Sequence, residues 1–92
     1  MVTDYYITVF ETKNQAIFLY STLETIGYRI FQLVSLPCNI KAGCNYGIKF
    51  KDQRYMDIIV NEAKELNMKV PDIYFCEKVQ GKYKYTKVTI KN

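Results

Sequence analysis

Asp4-Tyr5-Tyr6-Ile7-Thr8-Val9-Phe10 (DYYITVF) is the stretch on which the fold turns. Its residues are aromatic or β-branched, the types that fit a pleated surface. Alternation sets Tyr5, Ile7 and Val9 on one side and Tyr6, Thr8 and Phe10 on the other, so neither side is a solvated polar face. A strand apolar on both faces belongs in the middle of its sheet.

The segment after this strand reads as a helix. Thr12 and Gln15 make a T-x-x-Q capping box, Ala16, Leu19, Tyr20, Leu23 and Ile26 recur at helical spacing, and Gly27 suits the position just past a helix end. Tyr28 to Leu36 (YRIFQLVSL) reads as a second strand and Tyr46 to Phe50 (YGIKF) as a third. Asp52 can cap a second helix with Met56, Ile59, Val60, Ala63 and Leu66 as its apolar stripe, ending near Asn67. Ile73 to Cys76, after Pro71, forms a fourth strand. The order βαββαβ with short connections predicts an α+β, ferredoxin-like sandwich: a four-stranded antiparallel sheet with two helices on one face. Residues 1–76 would form this domain.

Residues 77–92 form a basic Tyr/Lys extension. In Lys82 to Lys91 (KYKYTKVTIK), Tyr83 and Tyr85 share one phase of a strand while Val88 and Ile90 share the other. An extra strand with a bulge near Thr86 or Lys87, either pairing at the sheet edge or extending toward a partner, would reconcile the two.

The 92 residues suffice for one domain, and 49% hydrophobic content is that of a folded chain rather than a disordered one. No apolar run approaches the roughly 20 residues that span a bilayer. The start of the chain, Met1-Val2-Thr3-Asp4, lacks a basic region followed by an apolar run, which leaves the cytoplasm as the expected location. The net charge of +4 comes from the end of the chain, where Lys78, Lys82, Lys84, Lys87 and Lys91 face only Glu77. A globally basic nucleic-acid binder is therefore not expected.

The chemistry concentrates between the second and third strands, in Leu36-Pro37-Cys38-Asn39-Ile40-Lys41-Ala42-Gly43-Cys44-Asn45-Tyr46-Gly47. Two of the three cysteines lie here, and an odd cysteine count fits a secreted disulfide framework poorly. The spacing of Cys38 and Cys44 matches neither a C-x-x-C redox motif nor a zinc knuckle, and the chain has no histidine. Neither a metal site nor a cofactor is expected. An accessible thiolate remains: Gly43 and Gly47 can take unusual backbone angles that turn N–H groups toward sulfur, and Lys41 and Lys49 can supply positive charge. In the expected fold this loop lies opposite the helix N-termini, so helix dipoles would not assist ionisation. Cys76, inside an apolar strand, reads as a small buried hydrophobe.

Tyr6 to Phe10 with Glu11-Thr12, the helix with Ala16, Gly27-Tyr28 and the stretch Leu36-Pro37 through Cys44 together resemble the bacterial family described as putative selenium/sulfur carrier protein-like, over roughly residues 5 to 75. The resemblance implies that Cys44 is the carrier thiol and Pro37 the family's proline. Cys38 stands where the family has arginine, which removes a fixed positive charge. Asn45 replaces a glycine, and asparagine is the residue that best tolerates a left-handed backbone in its place. Cys38 would add a resolving thiol, able to close a disulfide with Cys44.

On this basis the expected function is a non-enzymatic carrier that accepts sulfur or selenium as a persulfide on Cys44 and passes it from a donor protein to an acceptor enzyme. The competing reading is a ferredoxin-like interaction or regulatory module forming a homodimer through a sheet edge, with the cysteines incidental. A third, single-stranded nucleic-acid binding through Tyr6, Tyr74 and Tyr85, lacks the glycine-aromatic signature and the basic core surface such domains use.

Overall fold

The strand Tyr5–Val9 (β1) does lie in the middle of a sheet. In a computed structural model that describes residues 4–36 and 46–89, it is followed by α1 (Lys13–Ile26), β2 (Gln32–Ser35), β3 (Tyr46–Phe50), α2 (Met56–Glu65), β4 (Asp72–Val79) and β5 (Lys82–Val88). The sheet has five strands in the order β2-β3-β1-β4-β5, and all neighbours are antiparallel. The architecture is thus α+β, and the expected sheet of four gains β5 as its fifth member.

Both helices cover the same face. Ala16, Leu19 and Leu23 of α1 and Met56, Ile59, Val60 and Ala63 of α2 share one core with Phe10, Phe31, Ile48, Phe50 and Ile73. A second, smaller cluster of Ile7, Leu36 and Cys76, with Tyr5, Val9, Val34, Tyr74 and Tyr85 packed against it, occupies the face without helices. This second layer explains why β1 is apolar on both sides.

Three of the four helix ends are built as the sequence implies. Gln15 N–H donates to Thr12 Oγ1 (3.2 Å) and Thr12 N–H to Gln15 Oε1 (3.1 Å), completing the capping box. Gly27, at φ 116°, lets Tyr28 N–H reach Leu23 O (3.0 Å) while its own N–H reaches Glu24 O (3.1 Å), a Schellman arrangement. Asn67, at φ 56°, closes the second helix the same way, with Met68 N–H on Ala63 O (2.8 Å) and its own N–H on Lys64 O (3.0 Å). A capping group contributes about 1 kcal/mol, whereas each fully buried aliphatic side chain such as Leu19, Leu23 or Ile59 contributes about 1.5–3 kcal/mol. The apolar stripes therefore hold the helices in place, and the caps set where they stop.

Several boundaries differ from expectation. Ile26, placed in the α1 stripe by periodicity, is 52% exposed because it sits on the flank of that stripe in the last turn. The second strand is only Gln32–Ser35: Tyr28 and Phe31 ahead of it form an aromatic plug, Phe31 lying edge-on to Tyr28 (6.0 Å), Phe50 (5.9 Å) and Tyr55 (6.4 Å). Asp52 caps a 3₁₀ turn, Gln53–Tyr55, that leads into α2 rather than capping α2 itself. No bulge interrupts β5, whose register with β4 runs continuously from Ile73↔Val88 to Val79↔Lys82. The two phases need no reconciliation, since Tyr85 packs into the helix-free cluster and Val88 against the helix-side core. The turn between them, Gln80-Gly81, has positive φ at both residues (51° and 81°), the pattern that matches the twist of a tight hairpin.

Two features bind β3 to β1. Thr8, fully buried, donates its hydroxyl to Ile48 O (3.3 Å) and accepts from Ile48 N–H (3.0 Å). One pair along, Gly47 lies opposite Val9, where a Cβ would collide with the Thr8 carbonyl oxygen and come within 2.6 Å of Leu36 Cδ2. At Gly27 an added Cβ would meet nothing within 4 Å, so only its left-handed backbone resists substitution. Gly47→Ala is expected to lower stability by about 3 kcal/mol through overlap with backbone, and Gly27→Ala by about 1 kcal/mol through strain. Denaturant midpoints of the two variants check the ranking; equal losses would contradict it.

Candidate thiol site

Residues 37–45 lie outside the described residues, and with them Pro37, Cys38, Lys41, Gly43, Cys44 and Asn45. The described structure places what surrounds the loop's two ends. Ser35 pairs with Tyr46, Val34 with Gly47, Gly47 with Val9, and Val9 with Asp72. The loop therefore departs from the end of the sheet where β1 finishes and β4 begins.

This is also the end where α1 starts. β2 runs parallel to β1 on the far side of β3, so it finishes at the end from which β1 feeds its helix. Lys13, the first residue of α1, holds its ammonium 5.1 Å from the centre of the Tyr46 ring, directly after the loop. The expectation that the loop lies opposite the helix N-termini is thus corrected for α1, whose partial positive end faces the loop's side of the molecule. It holds for α2, which begins after the far end of β3.

Gly47 and Lys49 are the expected support residues that the structure describes. Gly47 is part of β3 and is not among the positive-φ residues, so its lack of a side chain serves close packing against Thr8 and Leu36. Lys49, across from Ile7, places its ammonium 4.4 Å from the centre of the Tyr5 ring, on the helix-free face. Its charge there bears on Cys76.

Cys76 is buried on that same face, opposite both Tyr5 and Tyr85. Burial pushes its thiol up to about 11; hydrogen bonding from Tyr5 and the charge of Lys49 oppose this without overcoming it. Tyr5 is raised as well, by burial first and by the neighbouring Cys76 next. The reading of Cys76 as an inert packing group agrees with this environment.

Sequence reasoning passed over two features at the loop's end of the sheet. Lys13 could have been noticed as a lysine in a first helical turn that has no acidic residue, the reverse of the usual dipole preference. The other is a shallow cleft of about 210 Å³ bordered by Val9, Phe10, Glu11, Gln15, Lys69 and Asp72, across which Lys69 pairs with Glu11 at 3.0 Å. No local signal announces it, since Glu11 and Lys69 meet only through the fold. Tyr6, one of the aromatics considered for nucleic-acid stacking, lies on the helix side and stacks on Phe50 (5.4 Å). Among the described residues no group of three or more His, Cys, Asp or Glu side chains could hold a metal ion, and no helix is long and apolar enough to cross a membrane.

The fold is that of a small α+β protein in which the segment bearing Cys38 and Cys44 connects the two strands at one side of the sheet. The model of the family described as "Putative Se/S carrier protein-like" matches residues 5–75, and the chain belongs to that family. No curated protein and no solved structure matches it. The matched span contains both loop cysteines and stops within β4, leaving β5 outside.

The Cys76 environment has a measurable consequence. The folded chain keeps the Cys76 proton up to about pH 11, while the unfolded chain releases it near the ordinary value of 9.0. The contribution to stability is therefore full below pH 9 and is lost as pH rises through 11. Urea unfolding between these limits should show a fall in midpoint that Cys76→Ala flattens; an unchanged pH profile in the variant would refute the assignment.

Proposed function

We propose that the protein is a carrier of sulfur or selenium, holding the atom on Cys44 as a persulfide or selenopersulfide between a donor protein and an acceptor enzyme. The observation that carries this reading is the family match across the whole cysteine loop. Burial of Cys76 supports it by removing that thiol from the candidates for transfer. The strand order β2-β3-β1-β4, with each helix linking two strands that flank a third, supports a ferredoxin-like core to which β5 is added.

In loading, the Cys44 thiolate attacks the terminal sulfur of a donor persulfide, forms the new S–S bond and releases the donor's thiolate. In delivery, an acceptor nucleophile takes that terminal sulfur and Cys44 leaves as thiolate. Alternatively the Cys38 thiolate attacks the Cys44 sulfur, expelling hydrosulfide and leaving a Cys38–Cys44 disulfide that a dithiol reductant reopens. Pro37, Gly43 and Asn45 would shape the loop, and Lys41 would add charge near the thiolate. Lys13, held against Tyr46 two residues along the chain from Cys44, adds a second cation. The reducing cytoplasm is the compartment that suits such a thiol.

Incubation with a cysteine desulfurase and cysteine should add the mass of one sulfur to the wild-type chain and none to Cys44→Ser. Loading of both, or of neither, would overturn the proposal. Lys13→Met should raise the pH midpoint of Cys44 alkylation by about half a unit at low ionic strength, an effect that added salt shrinks. An unshifted midpoint would remove Lys13 from the site without bearing on loading.

A further inference from the structure

β5 ends the sheet, and among the described residues no strand takes up the backbone N–H and C=O groups along its outer side. Its residues divide cleanly between the two faces. Lys82, Lys84 and Thr86 lie on the helix side with Val88, while Tyr83, Tyr85 and Lys87 lie on the helix-free side. Lys87 pairs with Asp72 at 3.5 Å. Among the described residues, Lys82 and Lys84 have no ion-pair partner, although Glu77 stands opposite Lys84 in the ladder. At the hairpin end, Val79 and Tyr83 are exposed apolar groups, and Tyr83 is fixed in place by Tyr5 (5.6 Å, edge-on) and Tyr85 (6.4 Å, stacked).

We propose that the outer edge of β5 docks an extended acidic segment of a partner protein, which joins the sheet as a further strand. A strand laid there would have alternate side chains beside Lys82 and Lys84 on one face and beside Tyr83 and Tyr85 on the other. The complementary segment therefore alternates acidic and apolar residues. Main-chain hydrogen bonds supply affinity and the two rows of side chains supply selectivity. The lysines also discriminate against the obvious rival, since a second copy of β5 would bring their charges together on one ladder. β5 lies beyond the family-matched residues 5–75, so the inference does not depend on Cys44 carrying sulfur.

The test uses the full chain and a fluorescein-labelled peptide of alternating glutamate and valine, followed by fluorescence anisotropy at low salt. Saturable binding is expected, weakened about tenfold by the double variant Lys82→Glu, Lys84→Glu and less by the corresponding glutamine pair. Hydrogen exchange of alternate β5 amides should slow in the complex. Absence of saturable binding, equal affinity for the same peptide with lysine in place of glutamate, or unaltered β5 exchange would overturn the proposal. So would oligo-deoxythymidine binding that depends on Lys82 and Lys84 when the peptide does not bind, which would assign the lysines to nucleic acid.

Discussion

The close approach of β3 to β1 governs the rest of the molecule. It is made by a missing side chain at Gly47 and a buried hydroxyl at Thr8, which bonds both polar groups of Ile48. Overlap with backbone cannot be relieved by a rotamer change, so any side chain at Gly47 destabilises this seam. From that register come the pairing of Val34 with Gly47 and the point at which the cysteine loop leaves the sheet. Leu36, the last described residue before the loop, is held by the same contact.

Strand alternation divides the residues between the two faces of the sheet. On the helix side a conventional aliphatic and aromatic core forms around Phe50, Ile48 and Ile73. On the other, tyrosines do the covering: Tyr5, Tyr74 and Tyr85 pack over Ile7 and Cys76, with Lys49 on the Tyr5 ring. Tyrosine suits that duty because it removes apolar area from water while keeping a polar end that can remain wet. The chain's abundance of tyrosine therefore has a packing explanation, and the thiol beneath this layer is kept protonated and out of contact with reagents.

Most of the architecture was legible because it rests on local signals. The capping box at Thr12 and Gln15, the stop at Gly27, the stripe of Met56, Ile59, Val60 and Ala63, and the two-faced strand at Tyr5–Val9 each announce themselves within a few residues. The errors arose where neighbours across the fold replace local pattern. Tyr28 and Phe31 have strand-like character but serve as an aromatic plug, and both phases of β5 are packed because the helix-free face carries a cluster of its own. For the site, the concentration of cysteines and family likeness point to the loop, while the residues gathered around its ends come from α1, β1 and β4.

What the sequence determined by itself is the identity and order of the elements, the family, and the concentration of thiols in one loop, since these depend on residue types and short spacings. What only the tertiary structure decided is which cations stand where. Lys49, a neighbour of the loop in sequence, is turned by strand alternation toward Tyr5 and Cys76, and Lys13, distant in sequence, is brought to Tyr46. The reason is directional: β2 runs parallel to β1 across β3, which returns the chain to the end of the sheet where α1 begins.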